Sequence, residues 1–92
     1  MYVRPKKHLG QHFLTDLSVA RRIADSLKAD RCRSVLEVGC GTGMLTQFLL
    51  ERTDITLYGA EVDGESIGFL HSRFPDFAPR LYDGDFLRMP LR

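Results

Sequence analysis

Between Val35 and Gly43 the chain reads Val-Leu-Glu-Val-Gly-Cys-Gly-Thr-Gly, an apolar strand running straight into a glycine-spaced turn. Val35, Leu36 and Val38 have the character of a buried parallel strand. The glycines after them let backbone N–H groups approach a ligand without interference from a Cβ atom. Met44-Leu-Thr-Gln-Phe-Leu-Leu-Glu then reads as a helix. The turn is therefore expected at a helix N-terminus, where unpaired amides favour polar or anionic groups. A strand, a glycine turn and a helix in this order predict an α/β unit that holds a nucleotide-like cofactor.

A second acid supports that expectation. Ile55-Thr-Leu-Tyr-Gly-Ala-Glu reads as the next strand, and its last residue, Glu61, falls 22 positions after Gly39. In nucleotide-binding βαβ units a carboxylate at the tip of the second strand, about 20 residues from the glycines, accepts hydrogen bonds from ribose hydroxyls. Glu61 is the expected ribose ligand. A helix from about Glu65 to Arg73 follows, with Ile67, Leu70 and Phe74 inward and Pro75 stopping it. Arg80-Leu-Tyr-Asp-Gly-Asp-Phe-Leu supplies a third short strand with Asp83 and Asp85 at its exit. Strands joined by helices make a parallel sheet whose ligands lie at the carboxyl ends, where Gly39 to Gly43, Glu61 and Asp85 converge.

The amino-terminal third differs in character. Residues 1–33 carry eight Lys or Arg against three Asp, a net +5, whereas residues 34–92 carry five Arg against nine acids, a net −4. A basic leader on an acidic cofactor-binding half suits an anionic substrate such as nucleic acid. Met1 to Leu14 lacks apolar periodicity and reads as an extended arm. Thr15 or Asp16 is positioned to cap a helix running to about Lys28, with Leu17, Ala20, Ile23, Ala24 and Leu27 as its inward stripe. Cys32 and Cys40 form no CxxC pair and the three histidines are scattered, so neither a metal site nor a disulfide framework is expected. No run is long enough to span a membrane and no signal-peptide pattern is present, which points to the cytoplasm.

The glycine spacing separates the cofactor classes. A dinucleotide site wants Gly-x-Gly-x-x-Gly, but Gly39, Gly41 and Gly43 alternate and Met44 takes the sixth position. With Glu37 two residues before Gly39, the pattern acidic-x-Gly-x-Gly-x-Gly resembles the first motif of class I S-adenosylmethionine-dependent methyltransferases. The likeness becomes narrower with Lys7-His-Leu-Gly-Gln-His-Phe-Leu, Glu61-Val-Asp and Asp83-Gly-Asp-Phe-Leu, which together resemble the ribosomal RNA adenine dimethyltransferase family from about Lys6 to Leu87. Many members of that family have Asn where His12 stands.

The resemblance implies a Rossmann-like class I methyltransferase fold, here truncated to about three parallel strands with intervening helices. Residues 1–15 would be a basic arm and residues 16–92 a βαβαβ half-domain with a leading helix. By the same resemblance His12 and Leu14 would touch S-adenosylmethionine from the arm. Gly39 and Gly41 would line it, Glu61 would bind its ribose and Asp85 would face its adenine, while Arg4, Lys6 and Lys7 would meet phosphates of small-subunit ribosomal RNA. The family's Asn-Leu-Pro-Tyr-type tetrad, which holds the target adenine, does not occur among the 92 residues, so none of them is expected to be catalytic. Two other readings belong beside this one: a class I methyltransferase with a different substrate, and a non-enzymatic RNA-binding relative of the same fold. The resemblance also implies that Val35 to Val38 is a central strand missing a neighbour, so that its open edge is expected to promote self-association.

Overall fold

The computed structural model describes residues 2–3, 16–30 and 32–88. Four parallel strands, β1 (Tyr2–Val3), β2 (Ser34–Val38), β3 (Thr56–Glu61) and β4 (Leu81–Asp83), form one sheet in the order β1-β2-β3-β4. Helix α1 (Leu17–Ser26) precedes β2, the five-residue helix α2 (Thr46–Leu50) joins β2 to β3, and α3 (Gly64–Arg73) leads toward β4. This is the α/β arrangement expected from strands alternating with helical segments. Among the described residues no helix is long and apolar enough to cross a membrane.

Alternation along the strands sets the layers. In the register Val35 pairs with Leu57, Glu37 with Gly59, and Gly59 with Leu81. Val35, Leu57 and Leu81 share one core with Ala24 of α1, Leu45 and Leu49 at α2, Ile67 and Leu70 of α3, and Phe77. All three helices therefore cover the same face of the sheet. Gly59 makes room for this core: a Cβ there would lie 2.7 Å from Phe77 Cζ and 2.8 Å from Cys40 Sγ. Leu36, Tyr58 and Tyr82 point the other way, and Tyr58 remains 40% exposed.

Local chemistry fixes the helix ends. Asp16 caps α1, its Oδ1 accepting from the Ser18 and Val19 amides at 3.0 and 3.3 Å. Asp63 caps α3 by accepting from the Ser66 amide at 2.9 Å. Helix α1 stops at Ser26, short of the expected Lys28, because Leu27 turns extended and Arg52 Nη1 donates to the carbonyls of Ala24 and Leu27. The same guanidinium holds Asp54, tying the end of α1 to the connection between α2 and β3. Leu17, expected to face inward, is 48% exposed in the first turn of α1.

The expected open edge on the central strand is not present along its whole length. Tyr2 pairs with Leu36 and Val3 with Glu37, so β1 occupies the side of β2 away from β3. The start of the arm is thus a sheet strand, and an edge that already carries a parallel neighbour is a weaker template for a second copy.

Candidate cofactor site

The carboxyl ends of β2, β3 and β4 are laced together by backbone hydrogen bonds. The Gly39 amide donates to the Ala60 carbonyl at 2.8 Å, and the Gly84 amide donates to the Glu61 carbonyl at 2.8 Å. These two bonds bring the glycine turn after β2, the acid closing β3 and the Gly84-Asp85 exit of β4 onto one edge, where open parallel sheets bind ligands. Gly39, Gly41, Glu61 and Asp85 are therefore gathered together. His12 and Leu14, and the basic residues Arg4, Lys6 and Lys7, lie outside the described residues.

Glu61 is the hub of this edge. It is nearly buried, at 7% exposure. Its Oε1 accepts from the Gly41 amide at 2.6 Å, while Oε2 accepts from the amides of Val62 at 3.0 Å and Asp63 at 2.9 Å. One carboxylate thereby joins the turn after β2 to the turn after β3. Asp85 is exposed and closes its own turn, Oδ1 accepting from the Leu87 amide at 3.0 Å.

The three glycines of the turn all have positive φ, 76° at Gly39, 58° at Gly41 and 87° at Gly43. Their surroundings differ. A Cβ on Gly39 would meet no atom within 4 Å, so open space lies above it. A Cβ on Gly43 would lie 2.6 Å from Phe74 Cε2 and 3.1 Å from Leu70 Cδ2. Gly39 borders open space, whereas Gly43 lets the turn sit against α3.

The expected helix N-terminus lies at the end of the turn, where the Gln47 amide donates to the Gly43 carbonyl at 3.0 Å in an i to i−4 bond. Residues 41–45 form turns, α2 begins only at Thr46, and its N-cap Leu45 contributes no side-chain bond. The turn's amides have partners of their own: Gly39 with Ala60, Gly41 with Glu61, and Gly43 with the Cys40 carbonyl at 3.0 Å. Side chains and open space mark this edge as the candidate site.

Beneath the turn lies Glu37, which the sequence marks only as part of the glycine pattern. It is fully buried, Oε1 accepts from Thr46 Oγ1 at 2.5 Å, and Oε2 has no hydrogen-bond partner among the described residues. Burial pushes its carboxyl from an ordinary 4.5 to about 7, against the lowering effects of the Thr46 hydroxyl and Cys40; the nearby Glu61 charge adds to the rise. A signal for this burial exists in the sequence, since period-two alternation places Glu37 on the same face as buried Val35. Cys40, expected as a small residue within the turn, is completely buried in the core, and burial pushes its thiol far up. A cavity of about 190 Å³ lined by Leu49, Arg52, Ile55 and Arg80 opens at the opposite end of the strands and contains none of these site residues.

Residues 3–88 match the family model described as ribosomal RNA adenine dimethylase. A protein of Porphyromonas gingivalis named ribosomal RNA small subunit methyltransferase A is 51% identical over 92 residues, covering 99% of this chain and 35% of the relative. Proteins of the same name from Parabacteroides distasonis and Bacteroides thetaiotaomicron are 51% and 47% identical, each covering 97% of this chain and 33% of its own length. The chain thus spans about a third of the curated relatives it matches. With a parallel α/β sheet, alternating glycines after β2 and an acid closing β3, the chain belongs to the ribosomal RNA adenine dimethylase family.

Proposed function

We propose that this chain is the cofactor-binding amino-terminal part of a cytoplasmic enzyme that dimethylates adenine N6 in small-subunit ribosomal RNA with S-adenosylmethionine as donor. The observation that carries the reading is the juxtaposition of Glu61, one amide away from the glycine turn, with the open space above Gly39. That geometry suits a ribonucleoside: a carboxylate for a vicinal diol beside a surface with no Cβ in the way. Gly43 and Gly59, by contrast, are glycines because of core packing, so only part of the turn faces the ligand.

Bound here, S-adenosylmethionine would supply a sulfonium methyl open to in-line attack by the target amine. The chain's own residues would contribute orientation. Glu61 would hold the ribose, Gly39 and Gly41 would border the sugar and amino-acid portion, and Asp85 would face the adenine. His12 and Leu14 would close over the cofactor from the arm. None of these groups needs to move a proton, so the contribution of this part of the enzyme is positioning, which accounts for a large share of the barrier when two reactants are aligned. The target base would leave its stack to reach the methyl group. The test is transfer of labelled methyl by the full-length protein to unmodified small-subunit RNA. Label in N6,N6-dimethyladenosine is expected, and label confined to another base, or absent, would refute the assignment.

The basic cluster Arg4, Lys6 and Lys7 is proposed to meet RNA phosphates. Replacing all three with Ala in the full-length protein should weaken binding and flatten its salt dependence, by a log-log slope of roughly 0.7 to 0.9 for each phosphate that is no longer neutralised. An unchanged slope would show that the cluster faces solvent in the complex.

A further inference from the structure

Resting on the proposed cofactor but going beyond it, the bonds around Glu61 point to a moving part. We propose that the Gly41 backbone N–H is a latch, held by Glu61 in the closed turn and released when a vicinal diol arrives, so that sugar recognition and rearrangement of the glycine turn are a single event.

The number of acceptor positions sets the constraint. A carboxylate has two oxygens and about four lone-pair positions. Oε2 of Glu61 already accepts from the Val62 and Asp63 amides, which uses both of its positions. Oε1 accepts from the Gly41 amide, leaving one. A diol brings two O–H donors, so full recognition needs one of the three amides to withdraw. Val62 and Asp63 are the next two residues of the chain and follow wherever the Glu61 backbone goes. Gly41 is 20 positions distant in sequence, in a turn built on three positive-φ glycines. Its bond is the one able to open without disturbing β3. Glu61 is also only 7% exposed, so little of its surface is open while the turn stays closed.

Once released, the amide becomes a donor for an acceptor on the ligand, which makes Gly41 a positioning residue through its backbone alone. Ligands also divide by their sugar: those with a vicinal diol open the latch, and those without one do not.

The amide resonance and hydrogen exchange of Gly41 in isotope-labelled full-length protein provide the test. S-adenosylhomocysteine and methylthioadenosine, which both carry the diol, should move the Gly41 amide signal strongly. They should also change its exchange by about tenfold or more relative to the free protein. Adenine alone should leave both readouts near the free state. In Glu61→Gln, which has one acceptor oxygen instead of two, the free-state Gly41 signal should already be displaced and the effect of methylthioadenosine should shrink. Saturating S-adenosylhomocysteine with Gly41 unmoved would overturn the latch while leaving the cofactor assignment standing, and an equal response to adenine would overturn it as well. Failure of S-adenosylhomocysteine to bind at all would remove the cofactor assignment and the latch together.

Discussion

Between pH 4.5 and about 7 the protein should lose about 3 kcal/mol of stability through one buried side chain, Glu37, and Glu37→Gln should not show that loss. The sign follows from the proton count. Glu37 keeps its proton in the folded state up to about pH 7, whereas in the unfolded chain it ionises near 4.5. Across that window the folded state binds more protons, so stability falls as pH rises. The gap from 4.5 to about 7, at 1.36 kcal/mol per pH unit, amounts to about 3 kcal/mol. The cause is burial: Glu37 is 0% exposed, and among the described residues its Oε2 has no partner to stabilise a charge. Denaturant melts of both proteins across this range would measure the effect. The wild-type curve should decline relative to the variant up to about pH 7 and then run parallel to it. Curves parallel throughout would show that Glu37 is ionised in the folded state and would overturn this account of its burial.

Gly43→Ala should cost about 3 kcal/mol, and Gly39→Ala distinctly less. Both positions have positive φ, which an alanine tolerates at about 1 to 2 kcal/mol. Only at Gly43 does the new methyl also collide, with Phe74 Cε2 at 2.6 Å and Leu70 Cδ2 at 3.1 Å, adding overpacking of about 1 to 3 kcal/mol. Phe74 is half-buried and lies at the end of α3, so Gly43→Ala combined with Phe74→Leu should recover part of the loss. Gly39→Ala places its methyl in open space and should act mainly on ligand affinity. Thermal melts and ligand titrations of the three variants separate the two roles. Equal destabilisation at both glycines would mean that backbone strain alone sets the cost.

Much of this site is legible in the sequence because it depends on short-range spacing. Glu61 terminates β3, and the edge it shares with Gly39 and Asp85 follows from the strand order. Three features are not legible, for physical reasons. The bond from the Gly41 amide to Glu61 depends on how the turn folds back over β3, which no periodicity encodes. The early end of α1 depends on Arg52, 25 residues from the Leu27 carbonyl it binds. The pairing of Tyr2 and Val3 with Leu36 and Glu37 escapes a sequence reading for a different reason: a two-residue strand is too short to show alternation. Glu37 is the reverse case, since its place opposite Gly59 on the core face is readable but an acid at a strand end invites a solvent-facing reading.

Calorimetric titration of the full-length protein with S-adenosylmethionine, beside NAD and beside the Glu61→Ala variant, tests the central claim most directly. The expected result is one site that takes S-adenosylmethionine and not NAD, with affinity reduced in Glu61→Ala by about 1.5 to 3 kcal/mol, the range for hydrogen bonds to a charged group. Binding of NAD in preference to S-adenosylmethionine, or an affinity for S-adenosylmethionine unchanged by the loss of Glu61, would contradict it.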